Sequence, residues 1–322
     1  MGMKFTHTKR TPANALQPCG SVHRVPPETM EPWQAFILGV IEGITEYLPI
    51  SSTGHLLVAQ QMMGIGTHSH TDKVAADTFA ICIQGGAILA VLGLYFKRVV
   101  RMIMGLCGKD PEGLKLAIAI LIGFLPAAVI GVLLNDWIEE KLFGTWPVVF
   151  AWVFGGVLIL AAARWSRRNG RKAGGMELLE MTWKMALLIG LLQCVAMWPG
   201  TSRSLMTIVG GLLVGLSVRA AVEYSFLLGV LTLTAATAKK ALWKVPEIDA
   251  QYDVWFGGAR LMLDSYGPLS LAVGVVAATV SAALAVKWLV SYLQKHGLEL
   301  FGWYRIALGT AVGGLVLAGV LN

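Results

Sequence analysis

The sequence predicts an all-α polytopic membrane protein, built as an inverted-topology repeat with about six transmembrane helices and two re-entrant helical hairpins. Three observations support this fold class. Of the 322 residues, 56% are hydrophobic and only 14% are charged. The charged residues are clustered, so that long uncharged segments separate them. Two other apolar segments are each interrupted by a proline followed by small polar residues, which breaks a helix.

The uncharged segments account for the transmembrane helices. Four of them approach or reach the roughly 20 residues that a helix needs to cross a bilayer. Two are shorter, but Glu223, Lys239 and Arg305 at their ends can lie at the membrane interface. The six segments are residues 78–96, 116–135, 142–163, 224–238, 265–286 and 306–322. A single soluble core is the alternative, but it would not need so many runs of this length.

The net charge of +7 is carried mainly by short connections between these segments. Basic residues cluster at 97–101 and 164–172, whereas the connection at 136–141 is mainly acidic. By the positive-inside rule, we expect the basic clusters in the cytoplasm and the acidic one on the outer side. No basic stripe is interleaved with aromatic residues, so the sequence predicts no nucleic-acid binding.

The two hairpins are expected where the apolar pattern is interrupted. The first segment runs from Trp33 to about Gly66 and is interrupted at residues 49–54. The second runs from Lys184 to about Leu216 and is interrupted at 199–204. A kinked span is the alternative in each case. A proline followed by four or more polar or small residues favours a re-entrant hairpin, with serine or threonine capping the second helix.

The two interrupted segments resemble one another. Gly39 precedes Pro49 much as Gly190 precedes Pro199, and Ser51-Ser52 then aligns with Thr201-Ser202. Three hydrophobic segments follow each hairpin, and an odd number of crossings inserts the second half upside down. The predicted repeat halves are about 33–163 and 184–321.

The first 29 residues are expected to stay outside this fold. They are polar and proline-rich, and we expect residues 1–29 to form a disordered, dispensable tail. Residues 30–322 are expected to form a single integral membrane domain, for which Met30 is a plausible start.

Two acidic residues on the first half-helix are the first candidates for chemistry. Glu42 and Glu46 are four positions apart, so both carboxylates lie on one face. Acidic residues at membrane depth usually have a functional reason, and this pair could share a proton or coordinate a divalent cation. The alternative is a shallow half-helix whose carboxylates are solvated.

Each interruption adds groups that suit a phosphate. Ser51, Ser52 and Thr53 offer hydroxyls, Gly54 permits close backbone approach, and His55 can act as a base, an acid or a nucleophile. In the second interruption, a guanidinium lies between two serines and can bind phosphate with two hydrogen bonds. The residues of that group are Thr201, Ser202, Arg203 and Ser204. An ion pair between Arg203 and Glu42 or Glu46 is the alternative, and a substrate could lie between them.

Residues 42–55 (EGITEYLPISSTGH) and 199–204 (PGTSRS) resemble the two signatures of the undecaprenyl pyrophosphate phosphatases. Residues 83–91, 286–289 and 304–306 are similar to weaker stretches of that family, so the resemblance runs from about Met30 to the C-terminus. One departure is Leu205, where the family usually has glycine. A leucine could crowd the second hairpin.

The resemblance implies hydrolysis of a polyprenyl pyrophosphate lipid to its monophosphate, dependence on Mg²⁺ or Ca²⁺, and bacitracin resistance. It implies a bacterial inner-membrane protein whose active site faces the periplasm. Glu42 and Glu46 would handle metal and protons, Ser52 and His55 the phosphoryl transfer, and Arg203 the phosphate charge. The substrate-binding residues would be Ser51, Thr53, Gly54, Thr201, Ser202 and Ser204. The signatures leave open whether Ser52 or His55 attacks phosphorus.

Two other classes of membrane protein share some of these sequence features. Inverted repeats with broken helices also build transporters and lipid flippases. The phosphatidic-acid phosphatase superfamily needs a histidine and an aspartate after its Ser-Arg motif, and residues 204–222 contain neither, which excludes it. Besides the lipid substrate and membrane lipid, the sequence predicts no specific partner. It leaves open whether the chain forms a homo-oligomer.

Overall fold

A computed structural model describes residues 30–142, 144–168, 175–242 and 253–320. The expected tail at residues 1–29 and the end of the basic cluster, residues 169–172, lie outside what can be described. Apart from a single 3₁₀ turn, the elements are α-helices. They are α1 (Pro32–Tyr47), α2 (Ser52–Met62), α3 (His70–Leu94), α4 (Phe96–Leu106), α5 (Pro111–Leu133), α6 (Asn135–Leu142), α7 (Thr145–Arg168), α8 (Trp183–Val195), α9 (Arg203–Leu213), α10 (Val218–Leu242), α11 (Gly257–Lys295) and α12 (Glu299–Leu317).

Six helices of the described chain are long and apolar enough to cross a membrane, which confirms the predicted number. They are α3, α5, α7, α10, α11 and α12. Several extend beyond the uncharged segments, because a helix continues through charged residues near its end. Helix α11 is also bent, since Gly267 adopts φ 76° and ψ 160° immediately before Pro268.

Two connections that the charge pattern assigned to loops contain short helices. Helix α4 carries the first basic cluster, and its Arg98 pairs with Glu223 at 2.6 Å. Glu223 is therefore buried in an ion pair rather than free at an interface. Arg101 bonds Asp110 at 2.7 Å and holds the pKa of Asp110 at about 2. Asp110 in turn caps the start of α5 by accepting from the backbone N–H of Gly113 at 2.9 Å.

The two interrupted segments form two pairs of short helices, α1–α2 and α8–α9. The first break is shorter than predicted, because α2 begins at Ser52 and the residues from Ser52 to His55 form its first turn. The second break starts earlier than predicted, at Ala196. Pro32 is the first residue of α1, the position that its fixed φ and missing N–H favour. Re-entrant insertion of the two pairs stays a prediction.

The packing of these pairs has the symmetry expected of a repeat. Helix α1 of the first half packs along α11 of the second, and α8 of the second half packs along α5 of the first. Gly39 lies against Gly274 in one pair, and Gly190 lies against Gly123 in the other. These glycines let two backbones approach where side chains would separate them.

The breaks themselves correspond at one strained residue. Ser51 has φ 73° and is the residue immediately before α2. Ser202 has φ 77° and is the residue immediately before α9. A positive φ is uncommon for serine, so its occurrence at the same point of both breaks is a structural match. By this match Ser51 is equivalent to Ser202, and Pro49 is equivalent to Gly200. The alignment made from the sequence, which matched Ser51 with Thr201, was therefore displaced by one residue.

Adjacent glycines of α3 provide a test of this packing. A Cβ on Gly86 would strike the carbonyl of Val275 in α11, whereas a Cβ on Gly85 meets no heavy atom of the described residues within 4 Å. We expect Gly86→Ala to lower the free energy of unfolding in detergent by about 1–3 kcal/mol. Gly85→Ala should leave it unchanged or raise it by up to about 1 kcal/mol, because alanine favours helix. Equal thermal stability of the two variants would contradict the close contact between α3 and α11.

Candidate active site

The first break is held by side chains from four different helices. The backbone carbonyls of residues 48–51 each accept a hydrogen bond from a side chain. In that order, the donors are Ser204 Oγ at 2.8 Å, Arg305 Nη1 at 3.4 Å, Trp152 Nε1 at 3.1 Å and His55 Nδ1 at 2.6 Å. Carbonyls that have left a helix and are buried must find such donors. The break is therefore a fixed structure rather than a flexible loop.

Arg305 of α12 ties the two breaks together. Its side chain is fully buried, with 0% exposure. Besides Pro49, its guanidinium donates to the carbonyls of Gly200 at 2.8 Å, Ala151 at 2.7 Å and Trp152 at 3.3 Å. Pro49 and Gly200 are equivalent positions of the two breaks, so Arg305 lies where the halves meet. The sequence allowed Arg305 to lie at the membrane interface; its side chain is buried inside the protein, where the freed carbonyls solvate its charge.

A carboxylate connects the candidate nucleophile of one half with the arginine of the other. The Oε1 atom of Glu46 accepts from Arg203 Nη2 at 2.8 Å, and its Oε2 atom accepts from the Ser52 hydroxyl. Glu46 and Ser52 are buried, and Arg203 is mostly so. The sequence left an ion pair with Glu42 or Glu46 open, and the structure selects Glu46.

Arg203 is held from several further directions. Its Nη1 atom donates to the carbonyl of Ser225 at 2.9 Å, and the guanidinium lies 5.6 Å from the ring centre of Tyr47. Gly229 of α10 leaves room for it, because a Cβ there would overlap the guanidinium. The Nε–H of Arg203 has no hydrogen-bond partner among the described residues. One donor of this buried cation therefore has no acceptor in the described chain.

Glu42 is the least satisfied group of the site. Its side chain is 0% exposed, and neither carboxylate oxygen makes a hydrogen bond of ordinary geometry within the described chain. Glu46 and the amide of Gln84 lie close enough to interact with it. A buried carboxylate without a well-formed hydrogen bond is costly, so this position is suited to a proton or a bound cation.

His55 occupies a separate side of the site. Its Nδ1 lies 2.6 Å from the Ser51 carbonyl, which can only accept, so Nδ1 carries the proton. In the neutral ring Nε2 then accepts from the Tyr304 hydroxyl at 2.8 Å, and the two rings stack with centres 5.8 Å apart. His55 and Tyr304 line a pocket of about 290 Å³, together with Thr45 and Trp152.

Some of the remaining predicted residues stabilise the breaks or pack between helices, and one is exposed. Ser204 donates to the first break, and Ser202 lies 3.0 Å from Ser204 and caps α9. Thr201 is buried, whereas Thr53 is exposed. A Cβ on Gly54 would overlap the indole of Trp152, so this glycine serves helix packing. Leu205 does not crowd the hairpin, since it lies fully buried in the core beside Tyr47 and Phe226.

Three residues of this cluster were missed by the sequence. Trp152, Tyr304 and Arg305 come from α7 and α12, far along the chain from either motif. Arg305 follows Tyr304 near the start of an apolar helix, and a charge at that position was the available signal. Trp152 carries no signal, because an indole in an apolar segment reads as a core residue.

Comparisons with known proteins find similar sequences over most of the chain. The sequence model of a family described as bacitracin resistance protein BacA matches residues 35–311. The chain is 43% identical over 289 residues to undecaprenyl-diphosphatase 2 of Rhodospirillum rubrum, covering 90% of this chain and 96% of that protein. It is 41% identical over 280 residues to the undecaprenyl-diphosphatase of Sorangium cellulosum, covering 87% and 85%. It is also 41% identical over 288 residues to that of Nitrosomonas europaea, covering 88% and 96%.

The role of Arg305 can be tested by stability alone. Arg305→Met keeps an unbranched chain of similar length but leaves the break carbonyls of Pro49 and Gly200 without this donor. We expect it to lower the free energy of unfolding in detergent by roughly 2 kcal/mol or more, since each unsatisfied buried acceptor costs about 1–3 kcal/mol. Arg219→Met removes an exposed arginine of α10 and should change it by no more than about 0.5 kcal/mol. Similar melting temperatures for both variants would show that the breaks do not depend on Arg305.

Proposed function

This chain belongs to the family of bacitracin resistance protein BacA, and we propose that it hydrolyses undecaprenyl pyrophosphate to undecaprenyl phosphate and inorganic phosphate. The relatives named undecaprenyl-diphosphatase support this activity. The observation that carries it is the Glu46 carboxylate, which joins the Ser52 hydroxyl to the Arg203 guanidinium. A nucleophile, a proton acceptor and a phosphate-binding cation thus share one buried cluster. Such an activity recycles a lipid carrier and confers bacitracin resistance.

Ser52 is the attacking group in this proposal. Its hydroxyl donates to Glu46, so the carboxylate can accept the proton as Ser52 Oγ bonds to the terminal phosphorus. The bond from that phosphorus to the bridging oxygen breaks, and the lipid monophosphate leaves. Water then attacks the phosphoserine, gives its proton to a base of the site, and releases inorganic phosphate and the serine hydroxyl. Neither step needs a further co-reactant.

Arg203 exchanges partners in this scheme. Without substrate it pairs with Glu46, and the terminal phosphate competes for the same guanidinium through its free Nε–H. A planar guanidinium suits phosphate because it donates two parallel hydrogen bonds. Binding of the phosphate would thereby loosen Glu46 for its role as proton acceptor.

His55 acts as the second acid–base group. Its Nε2 faces the pocket and accepts from Tyr304, while Nδ1 is held by the Ser51 carbonyl. In this tautomer Nε2 can take a proton from the water that attacks the phosphoserine. Tyr304 orients the ring for that transfer.

The residues present also fit a divalent cation. Mg²⁺ is commonly held by one or two carboxylates together with substrate phosphates, and Ca²⁺ also prefers oxygen ligands. The buried carboxylate of Glu42, with Glu46 beside it, is such a donor set. No group of three or more histidine, cysteine or acidic residues with metal-site geometry occurs in the described segments, so the phosphate would complete the coordination. A bound cation would neutralise charge on the diphosphate.

The protein is a multi-pass membrane protein by its six apolar helices. We propose that it resides in the bacterial inner membrane with the site facing the periplasm. The support is the charge pattern, in which the basic cluster of α4 lies one crossing, α3, away from the entry of α1.

The attacking group can be identified by trapping. With substrate labelled in the terminal phosphate, the enzyme quenched in SDS at neutral pH should retain label that is stable to acid and lost in alkali, as expected of phosphoserine. Ser52→Ala should abolish the label and lower kcat on the order of 10³-fold. Ser291→Ala removes an exposed hydroxyl of α11 and should change neither measurement. Acid-labile, alkali-stable label would instead assign the attack to His55.

The metal site predicts a dependence on chelator. Phosphate release by purified protein in detergent, where transport is impossible, should stop in EDTA and return with Mg²⁺ or Ca²⁺. Glu42→Gln should raise the metal concentration that gives half-maximal rate by about tenfold or more. Glu140→Gln is the matched control, because it removes an exposed carboxylate of α6. It should leave the metal concentration for half-maximal rate unchanged. Full activity in EDTA would remove the metal role of both glutamates.

A further inference from the structure

The pocket that holds His55 is lined by α1, α2, α7 and α12. Ile44 and Met62 are exposed at its mouth, and the rest of its lining is mainly apolar. Tyr304 and Leu308 of α12 also line it, and Leu308 lies near the middle of that membrane-spanning helix. The opening is therefore at the depth of the hydrocarbon rather than at a water-facing end. A lipid molecule can reach His55 through it without leaving the bilayer.

A second and larger groove begins at the same mouth. It runs along the outer face of α1 and α11, has a volume of about 980 Å³ and contains no charged residue. Every fourth side chain along α1 lines it, which makes one stripe of the helix. The stripe consists of Phe36, Val40 and Ile44, and it ends at Leu48, immediately after the helix. From Phe36 to Leu48 the stripe extends about 18 Å, given 1.5 Å per residue.

Ile44 belongs to both linings, so the pocket and the groove meet at this side chain. Two side chains of the groove carry a polar group. The hydroxyl of Ser281 bonds back to the carbonyl of Ala277 at 2.7 Å, and Trp288 contributes an indole N–H. The groove therefore offers mainly hydrocarbon contacts. Glu42 and Glu46 lie on the buried side of the same helix.

We propose that the polyprenyl chain of the substrate leaves the His55 pocket over Ile44 and lies in the groove between α1 and α11. This inference rests on the proposed function. The continuity of the groove with the pocket favours this occupant over an ordinary acyl chain, because a tail attached to a diphosphate at His55 must pass this point. The groove then favours long prenyl chains over short ones, since each further isoprene unit buries more apolar surface.

Val280 is the residue with which to test this, because its exposed side chain lines the same groove as Ile44. The probes are a C55 and a C10 prenyl diphosphate in detergent micelles of fixed composition. Val280→Trp should lower the ratio of kcat/KM for C55 to kcat/KM for C10 by about tenfold, the equivalent of losing about two buried methylene groups. Turnover of the C10 substrate reports that the variant is folded.

Val157→Trp is the matched control. Val157 of α7 is 54% exposed and Val280 is 57% exposed, but Val157 lines neither the pocket nor the groove. This control should keep the wild-type ratio. If Val280→Trp loses C10 turnover as well, the smaller Val280→Phe replaces it and should lower the ratio in the same direction.

An unchanged ratio in a Val280 variant that turns over the C10 substrate would overturn the tail groove and leave the phosphatase intact. An equal fall for Val157→Trp would also overturn it, since the effect would then come from the lipid-facing surface in general. Absence of phosphate release from both substrates by the wild-type protein is a different result, because it would contradict the proposed function itself.

Discussion

Breaking a helix inside a membrane protein frees backbone carbonyls that must find donors away from water, and the site is organised around that requirement. Four consecutive carbonyls of the first break are satisfied by four side chains from different parts of the chain. Arg305 reaches both breaks and also the backbone of α7. The buried charge of Arg305 is stabilised by the carbonyls around it. The buried carbonyls of the breaks are stabilised in turn by the hydrogen bonds that Arg305 donates.

This fixed arrangement positions the chemistry. Because the breaks cannot move independently, Ser52 at the start of α2 and Arg203 at the start of α9 face each other across one carboxylate. The pair between Glu46 and Arg203 neutralises two charges that would each be costly if buried alone. In the proposed reaction, a phosphate that displaces Glu46 from Arg203 would convert a stabilising contact into a reactive one. The stability of the site and the proposed activity would thus depend on the same groups.

Helix α1 separates the polar and apolar parts of the proposed substrate. Its buried face carries Glu42 and Glu46, and its outer stripe lines a groove without charges. The close contacts of Gly39 and Gly43 with α11 bring the two helices together beside that groove. An amphiphilic substrate needs both environments within the length of one molecule. A single short helix with two faces provides them.

Hydropathy determined the six spans from the sequence, because a bilayer demands long uncharged segments whatever their packing. Proline with small polar neighbours likewise located both breaks, since proline removes a hydrogen bond wherever it stands. The boundaries were less accurate, because capping and strain at Ser51 and Ser202 decide where each second helix begins. The sequence motifs also named Glu46, Ser52, His55 and Arg203, the groups that the structure places around the breaks.

Only the tertiary structure decided which of these groups touch. Neither motif says that Arg203 pairs with Glu46 rather than Glu42, or that Ser202 and Ser204 hold the breaks while Thr53 is exposed. Tyr304, Arg305 and Trp152 could not be assigned, because their partners are backbone carbonyls and a ring nitrogen more than 100 residues away. Spacing along a helix fixes which residues share a face. Contacts between distant segments depend on how the helices pack, and that is set by the sum of many weak contacts rather than by any motif.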